Sequence, residues 1–377
     1  MIYLDHAATT PVPRAVADTM YTVLTEHFGN PSAQYPMGLE MKKKVELWRR
    51  TVAKALGCES RQLFFTSCGT EGDNWAIQAA CWQNRRLGHH IVTTAVEHSA
   101  MLEGCRWMER QGWEVTYLTP NSEGGISAQQ VLDAVRPDTA LVSCMLVNNE
   151  LGTIYPIQEI ARGLAAKNPQ TLLHTDAVQG FLKIPFSAKT LGADFVTISA
   201  HKIGGPKGIG ALYIGPRVKN PRPLLPGGGQ EGGLRSGTEA TAQIAGFAKA
   251  VELRAEGLED KLRHMAEIKA YAQERLSSIP DLVFVGRSDA PHILSVSLVG
   301  WPSQNIVNDL GSQGICISAG SACHQGKPSQ VVAALHLPKK TAGSVVRLSF
   351  GPETTREEID ACVQALQCHH DTRMPML

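Results

Sequence analysis

Four short blocks of this sequence carry side chains whose types and places could do chemistry. Lys202 stands in Ser199-Ala200-His201-Lys202-Ile203-Gly204-Gly205, directly after the apolar run 195–198. A lysine there can be an imine-forming amine, nucleophile and base when its surroundings lower its pKa. Its ordinary alternative is a solvated loop lysine. Asp176 follows the run 171–174, where a carboxylate can pair with a protonated ring nitrogen or simply cap a helix. His98 follows 91–94 in Val96-Glu97-His98, and its ring can stack on a planar cofactor or serve the fold alone. Ser67-Cys68-Gly69-Thr70-Glu71 follows 63–66 and opens a helical pattern. Small residues at a helix start let backbone N–H groups approach a phosphate, and the helix dipole favours its charge. Ser or Thr before a helix is also a common N-cap. No block decides by itself. Their common placement does: an acid, an imidazole, a phosphate-type turn and a lysine all fall at the same end of successive strands.

Those strands are short apolar runs at 63–66, 91–94, 115–118, 140–143, 171–174, 195–198 and 211–214, with helical patterns at 71–86 and 99–111 among them. The alternation predicts an α/β fold with a mostly parallel sheet covered by helices on both faces. Ligands in such sheets bind beyond the carboxyl ends of the strands. A Pro/Gly-rich crossing at 221–233 precedes one long helix expected over 239–278. A smaller α+β unit follows, with strands at 292–298 and 345–350 and helices at 303–312 and 356–368.

The whole chain of 377 residues is 43% hydrophobic and 19% charged, enough to fill a core, and its length suggests more than one domain. A net charge of +1 recruits neither nucleic acid nor a membrane surface. No secretory leader and no apolar run of membrane-spanning length is visible, so a cytoplasmic location is expected. The nine cysteines are scattered without a CxxC pair, which argues for free thiols, mostly buried, and against a metal site. Cys316 reads as strand core, and His369 and His370 beside Cys368 as a frayed polar terminus. Cys323 differs from the rest. It lies in Gly320-Ser321-Ala322-Cys323-His324-Gln325-Gly326-Lys327, a small and polar stretch expected to move, with His324 and Lys327 near enough in sequence to favour thiolate.

Taken in order, further blocks join these: Tyr3-Leu4-Asp5-His6-Ala7-Ala8-Thr9-Thr10-Pro11, Gly29-Asn30-Pro31-Ser32, Asn148-Asn149-Glu150-Leu151-Gly152, Gly227-Gly228-Gly229-Gln230-Glu231, Leu234-Arg235-Ser236-Gly237-Thr238 and Val346-Arg347-Leu348-Ser349. With Asp176-Ala177-Val178-Gln179, His201-Lys202 and Ser321-Ala322-Cys323, they resemble the NifS-like cysteine desulfurases of the class V aminotransferase group across nearly the whole chain. The resemblance implies the type I fold of pyridoxal-phosphate (PLP) enzymes. It places a large cofactor domain at 15–255 and a small domain at 1–14 and 256–377.

It also implies roles. Lys202 would hold PLP as a Schiff base and move the substrate α-proton. Asp176 would pair with the ring nitrogen, Gln179 would contact the phenolic oxygen, and His98 would stack on the ring and relay protons. Gly69, Thr70, Ser199 and His201 would hold the phosphate, with Thr238 reaching it from a neighbouring subunit, which implies a homodimer. Asn149 and Arg347 would orient the carboxylate of L-cysteine, Arg347 by a two-pronged pairing. Cys323 would take the sulfur as a persulfide and pass it to an acceptor protein, such as an iron–sulfur scaffold or a tRNA-thiolation protein. The chain departs from the family at Cys68, at Tyr35 and in the segment from His324 onward. Alternatives are a selenocysteine lyase or other class V lyase or aminotransferase that does not use Cys323, and a PLP-bound assembly scaffold without turnover.

Overall fold

The computed structural model describes residues 1–319 and 329–376. Its larger sheet has seven strands, in the spatial order Leu63–Thr66, Gly210–Ile214, Phe195–Ser199, Leu172–Asp176, Thr139–Ser143, His90–Thr94 and Glu114–Leu118. Gly210–Ile214 runs antiparallel to both of its neighbours, and the pairings among the other strands are parallel. The five strands between the two edge strands are buried along their whole length. That accounts for their near-continuous apolar sequences, because helices cover both faces. Glu114–Leu118 lies at one edge and keeps a half-exposed pattern.

A second, four-stranded antiparallel sheet pairs Ser318–Ala319, Val345–Ser349, Ile293–Leu298 and Leu282–Phe284. Helices Leu258–Leu276, Ser303–Ser312 and Arg356–Thr372 supply its apolar cover through Ile268, Ile306, Leu310 and Leu366. Leu4 belongs to this same core, so the amino terminus packs with the last third of the chain.

The expected single helix over 239–278 is two, Thr241–Ala255 and Leu258–Leu276. Gly257 between them has φ +60°, a left-handed conformation that breaks the helical path and that glycine adopts without a Cβ penalty. Two amino-terminal helices, Arg14–Thr25 and Pro36–Leu56, pack on Thr241–Ala255 and were not picked out by the strand pattern. The last helix runs to Thr372 rather than ending at 368, and its end is not frayed. His369 Nδ1 pairs with Asp309 at 2.8 Å, and the His370 ring packs on Trp301 with 4.7 Å between centroids. The cysteines are less uniform than expected. Cys81, Cys105, Cys144 and Cys362 are buried, Cys58, Cys68 and Cys316 are half-buried, and Cys368 is exposed.

The amino-terminal arm ties the two sheets together. Ser349 N–H donates to the Leu4 carbonyl at 2.8 Å, and a few residues on, Thr10 Oγ1 donates to the His201 carbonyl at 2.9 Å. The stretch between, Asp5 to Thr9, is thereby laid across the carboxyl ends of the large sheet's strands. No helix among the described residues is long and apolar enough to cross a membrane.

Candidate active site

Beyond those strand ends lies a cavity of about 240 Å³. Lys202, Asp176, Gln179, His98, Ser199 and His201 line it, and so do Gly69, Thr70, Asn149 and Arg347. Two expected site residues are not there. Thr238 is exposed and borders a separate cavity with Ser67 and Arg235. Cys323 lies outside the described residues.

Lys202 is not a solvated loop lysine. It is half-buried, and its Nζ donates to the carbonyls of Ala7 and Ala8, at 2.7 Å each. Burial and then the nearby Arg347 guanidinium push its pKa down to about 8, against the opposing pull of Asp176 and Asp5. At the end of its strand, Asp176 is 5% exposed, and its carboxylate accepts from Val178 N–H at 2.8 Å. That local turn satisfies one oxygen without a helix to cap. Burial, then the neighbouring Asp73 carboxyl, raises its pKa, so a positive partner is what would let it ionise fully. His98 both serves the fold and reaches the cavity. Its Nδ1 accepts from Ala100 N–H at 3.2 Å, capping helix Ser99–Arg110, while the residue borders the cavity. In the neutral ring this leaves the proton on Nε2.

The helix Gly69–Asn84 begins at the cavity, with Cys68 as N-cap making no side-chain capping bond. Ser67 does not act as the cap, because its Oγ donates to Glu71 at 2.6 Å. Free N–H groups at a helix start are a ready anion site. Opposite them, Ser199 Oγ is buried with no hydrogen-bond partner among the described residues. His201 is held near neutral charge, its pKa lowered to about 4 by burial and then by Lys202. A group with a phosphate at one end and a ring nitrogen at the other fits this set. The uncapped helix start and Ser199 could take a phosphate, and Asp176 a ring nitrogen, with Lys202 between them.

Arg347 is not a free fork. Its Nη1 donates to the Asn149 carbonyl at 2.6 Å and its Nη2 to Asp5 at 2.7 Å. The Asn149 Oδ1 and Arg347 Nε atoms are buried and without partners among the described residues.

Four contributors were missed by the sequence reading. Asp73 is 1% exposed and lies one turn into helix Gly69–Asn84, with burial raising its pKa to about 7. Its signal was present, an acid on a helix face otherwise made of Gly72, Ala76 and Ala80. Asp73, His98 and Asp176 bring ligand atoms within 4.8 Å of one another. Two acids beside an imidazole attract any positive charge, a protonated ring nitrogen included. Beneath them, His174 bonds Ser143 Oγ at 2.8 Å and Thr197 Oγ1 at 3.0 Å, and burial lowers its pKa to about 4. Ala7 had no expected role, yet its carbonyl accepts from both Lys202 and Gln179. Nothing in an alanine advertises a backbone contact. Lys183 donates to Gln179 Oε1 at 3.0 Å.

This fold is an α/β architecture with its cavity at the carboxyl ends of the strands. Residues 2–362 match the family model described as aminotransferase class-V. The chain is 39% identical over 374 residues to a cysteine desulfurase IscS of Clostridium botulinum, strain Hall, covering 97% of this chain and 93% of that protein. It is 40% identical over 369 residues to a cysteine desulfurase IscS of Methanosarcina thermophila, covering 97% and 91%. A solved structure titled NifS-like protein superposes with a TM-score of 0.92 at 34% identity, covering 99% of this chain and all of the other. The chain belongs to the class-V aminotransferase family, and within it to the cysteine desulfurases, enzymes that work with pyridoxal phosphate.

Proposed function

We propose that this enzyme removes sulfur from L-cysteine, releases L-alanine, and carries the sulfur as a persulfide on Cys323 to an acceptor protein. The observation that carries the reading is the convergence of Lys202, Asp176, His98, Gln179 and the uncapped helix start in one cavity. Bound there, pyridoxal phosphate supplies an electron sink that makes the α-proton of an amino acid removable.

The chain's own residues do the rest. Lys202, with an amine already favoured by burial, would hold the cofactor and, when free, would take the α-proton on Nζ. Asp176 would pair with the ring nitrogen and favour its protonated form, with Asp73 close behind it. His98 would lie over the ring and could offer its Nε2–H there. Gly69, Thr70, Ser199 and His201 would hold the phosphate. Asn149 and Arg347 hold the substrate carboxylate, which is why the Arg347–Asp5 contact must loosen when cysteine enters. The Cys323 thiolate attacks the substrate sulfur: an S–S bond forms, the C–S bond breaks, and the carbon left behind takes a proton and leaves as alanine. Electrons balance without an external oxidant.

The domain division at 255/256 suits this chemistry, since the large domain brings the lysine and the small domain brings Arg347 and Cys323. A homodimer is part of the proposal. Thr238 lies away from its own chain's cavity, and helices Arg14–Thr25 and Pro36–Leu56 expose Tyr21, Leu24, Leu39 and Leu47 to be covered. The acceptor is of the kind that builds iron–sulfur clusters or thiolates tRNA.

The test is alanine formation from cysteine in the presence of a reductant. Wild type should form alanine and sulfide, whereas Cys323→Ala should keep the yellow cofactor band and form neither. Unchanged sulfide release by Cys323→Ala would contradict the proposal.

A further inference from the structure

Lys183 is a lysine almost sealed from water, 2% exposed. The charged groups that act on it are other cations, Lys202, Arg254 and Arg347, and together with burial they push its pKa well below the ordinary lysine range. Its described hydrogen-bond partner is an uncharged one, Gln179 Oε1 at 3.0 Å. Burying an amine with one hydrogen bond is costly whether it stays charged or gives up its proton, and a leucine or methionine would fill the space at lower cost. Packing alone therefore does not explain a lysine here.

The geometry of Gln179 does. At its other end, Nε2 donates to the Ala7 carbonyl at 2.8 Å. A carbonyl only accepts, so nitrogen must face Ala7 and oxygen must face Lys183. The amide is held from both ends, and its second N–H is the donor left over. Gln179 lines the cofactor cavity. Lys183 instead borders a second cavity of about 400 Å³ with His6 and Arg254, and Lys202 borders both.

We infer that Lys183 is a positioning residue: it locks the Gln179 amide so that an N–H, and not the carbonyl, meets the phenolic oxygen of the cofactor. The inference rests on the proposed contact between Gln179 and that oxygen. A donor beside the oxygen favours its ionised form, and so lowers the pH at which the Lys202 imine gives up its proton. Without Lys183 the amide turns more freely and the donor weakens. One hydrogen bond's net worth corresponds to a rise of about one pH unit in the midpoint of the imine band.

The experiment is a pH titration of the absorption band in PLP-loaded protein. Lys183→Met should raise the midpoint by about one pH unit. Gln179→Ala should raise it likewise, and the double variant should go no further than Gln179→Ala alone. An unmoved midpoint in Lys183→Met would overturn the inference. So would a double variant whose shift equals the sum of the singles, because Lys183 would then act through its charge and not through Gln179. If Gln179→Ala by itself leaves the midpoint unmoved, the proposed Gln179 contact fails, and the two failures are told apart. Should Lys183→Met fail to fold, Lys183→Ala titrated with and without ethylamine replaces it. The added amine should bring the midpoint back towards wild type, and no response to it would overturn the inference.

Discussion

Lys202 Nζ is bonded to two carbonyls of the amino-terminal arm. Its surroundings lower its pKa to about 8 from an ordinary 10.5, burial first and Arg347 second. The free amine is the form that reacts with an aldehyde. Below a pKa of about 8 its share grows tenfold per pH unit, and above it the share is constant. The rate at which cofactor-free protein gains its yellow band should therefore rise with pH and level off near pH 8. A rate still climbing steeply through pH 10 would show that the amine is not perturbed. This residue was legible in sequence as an unusual amine at a strand end, and so were Asp176 and His98, because strand ends are where polar side chains stand out against apolar runs. Ala7 and Lys183 were not. One acts through its backbone, and the other acts on a residue that itself needed a role first.

The elements that present these groups are kept in place by contacts away from the chemistry. The Gly-rich crossing before helix Thr241–Ala255 is anchored through Glu231, which adopts φ +49° and is 9% exposed. Arg49 from helix Pro36–Leu56 grips both of its oxygens at 2.7 Å, and Phe65 N–H adds a third bond at 2.9 Å. Arg49→Met leaves a buried carboxylate unpaired and should lower unfolding free energy by about 3–5 kcal/mol in urea titration. A loss under about 1 kcal/mol would mean that the pair is dispensable. The strand alternation was readable because each central strand is buried on both faces. The helix break at Gly257 was not, since polar and apolar residues continue in helical rhythm on either side and one glycine's φ decides the path. The buried Arg49–Glu231 pair was likewise hidden, because its partners are far apart in sequence and each alone reads as a surface charge.

Across the molecule, the arm 1–13 joins the small sheet to the strand ends of the large one, so Lys202, Arg347 and Asp5 meet although they come from three distant parts of the chain. Blocks in the right order could suggest that meeting, but only the folded chain shows Arg347 already engaged by Asp5. The account assigns the sulfur to Cys323, yet Cys68 also borders the cavity and also has a thiol. The two can be separated directly. Loaded enzyme is incubated with one equivalent of cysteine and no reductant, free thiols are alkylated, and peptides are weighed by mass spectrometry. The account predicts one added sulfur atom on the peptide containing Cys323, matched by alanine in solution. Added sulfur on the Cys68 peptide, or alanine formed with no sulfur on any peptide, would contradict it.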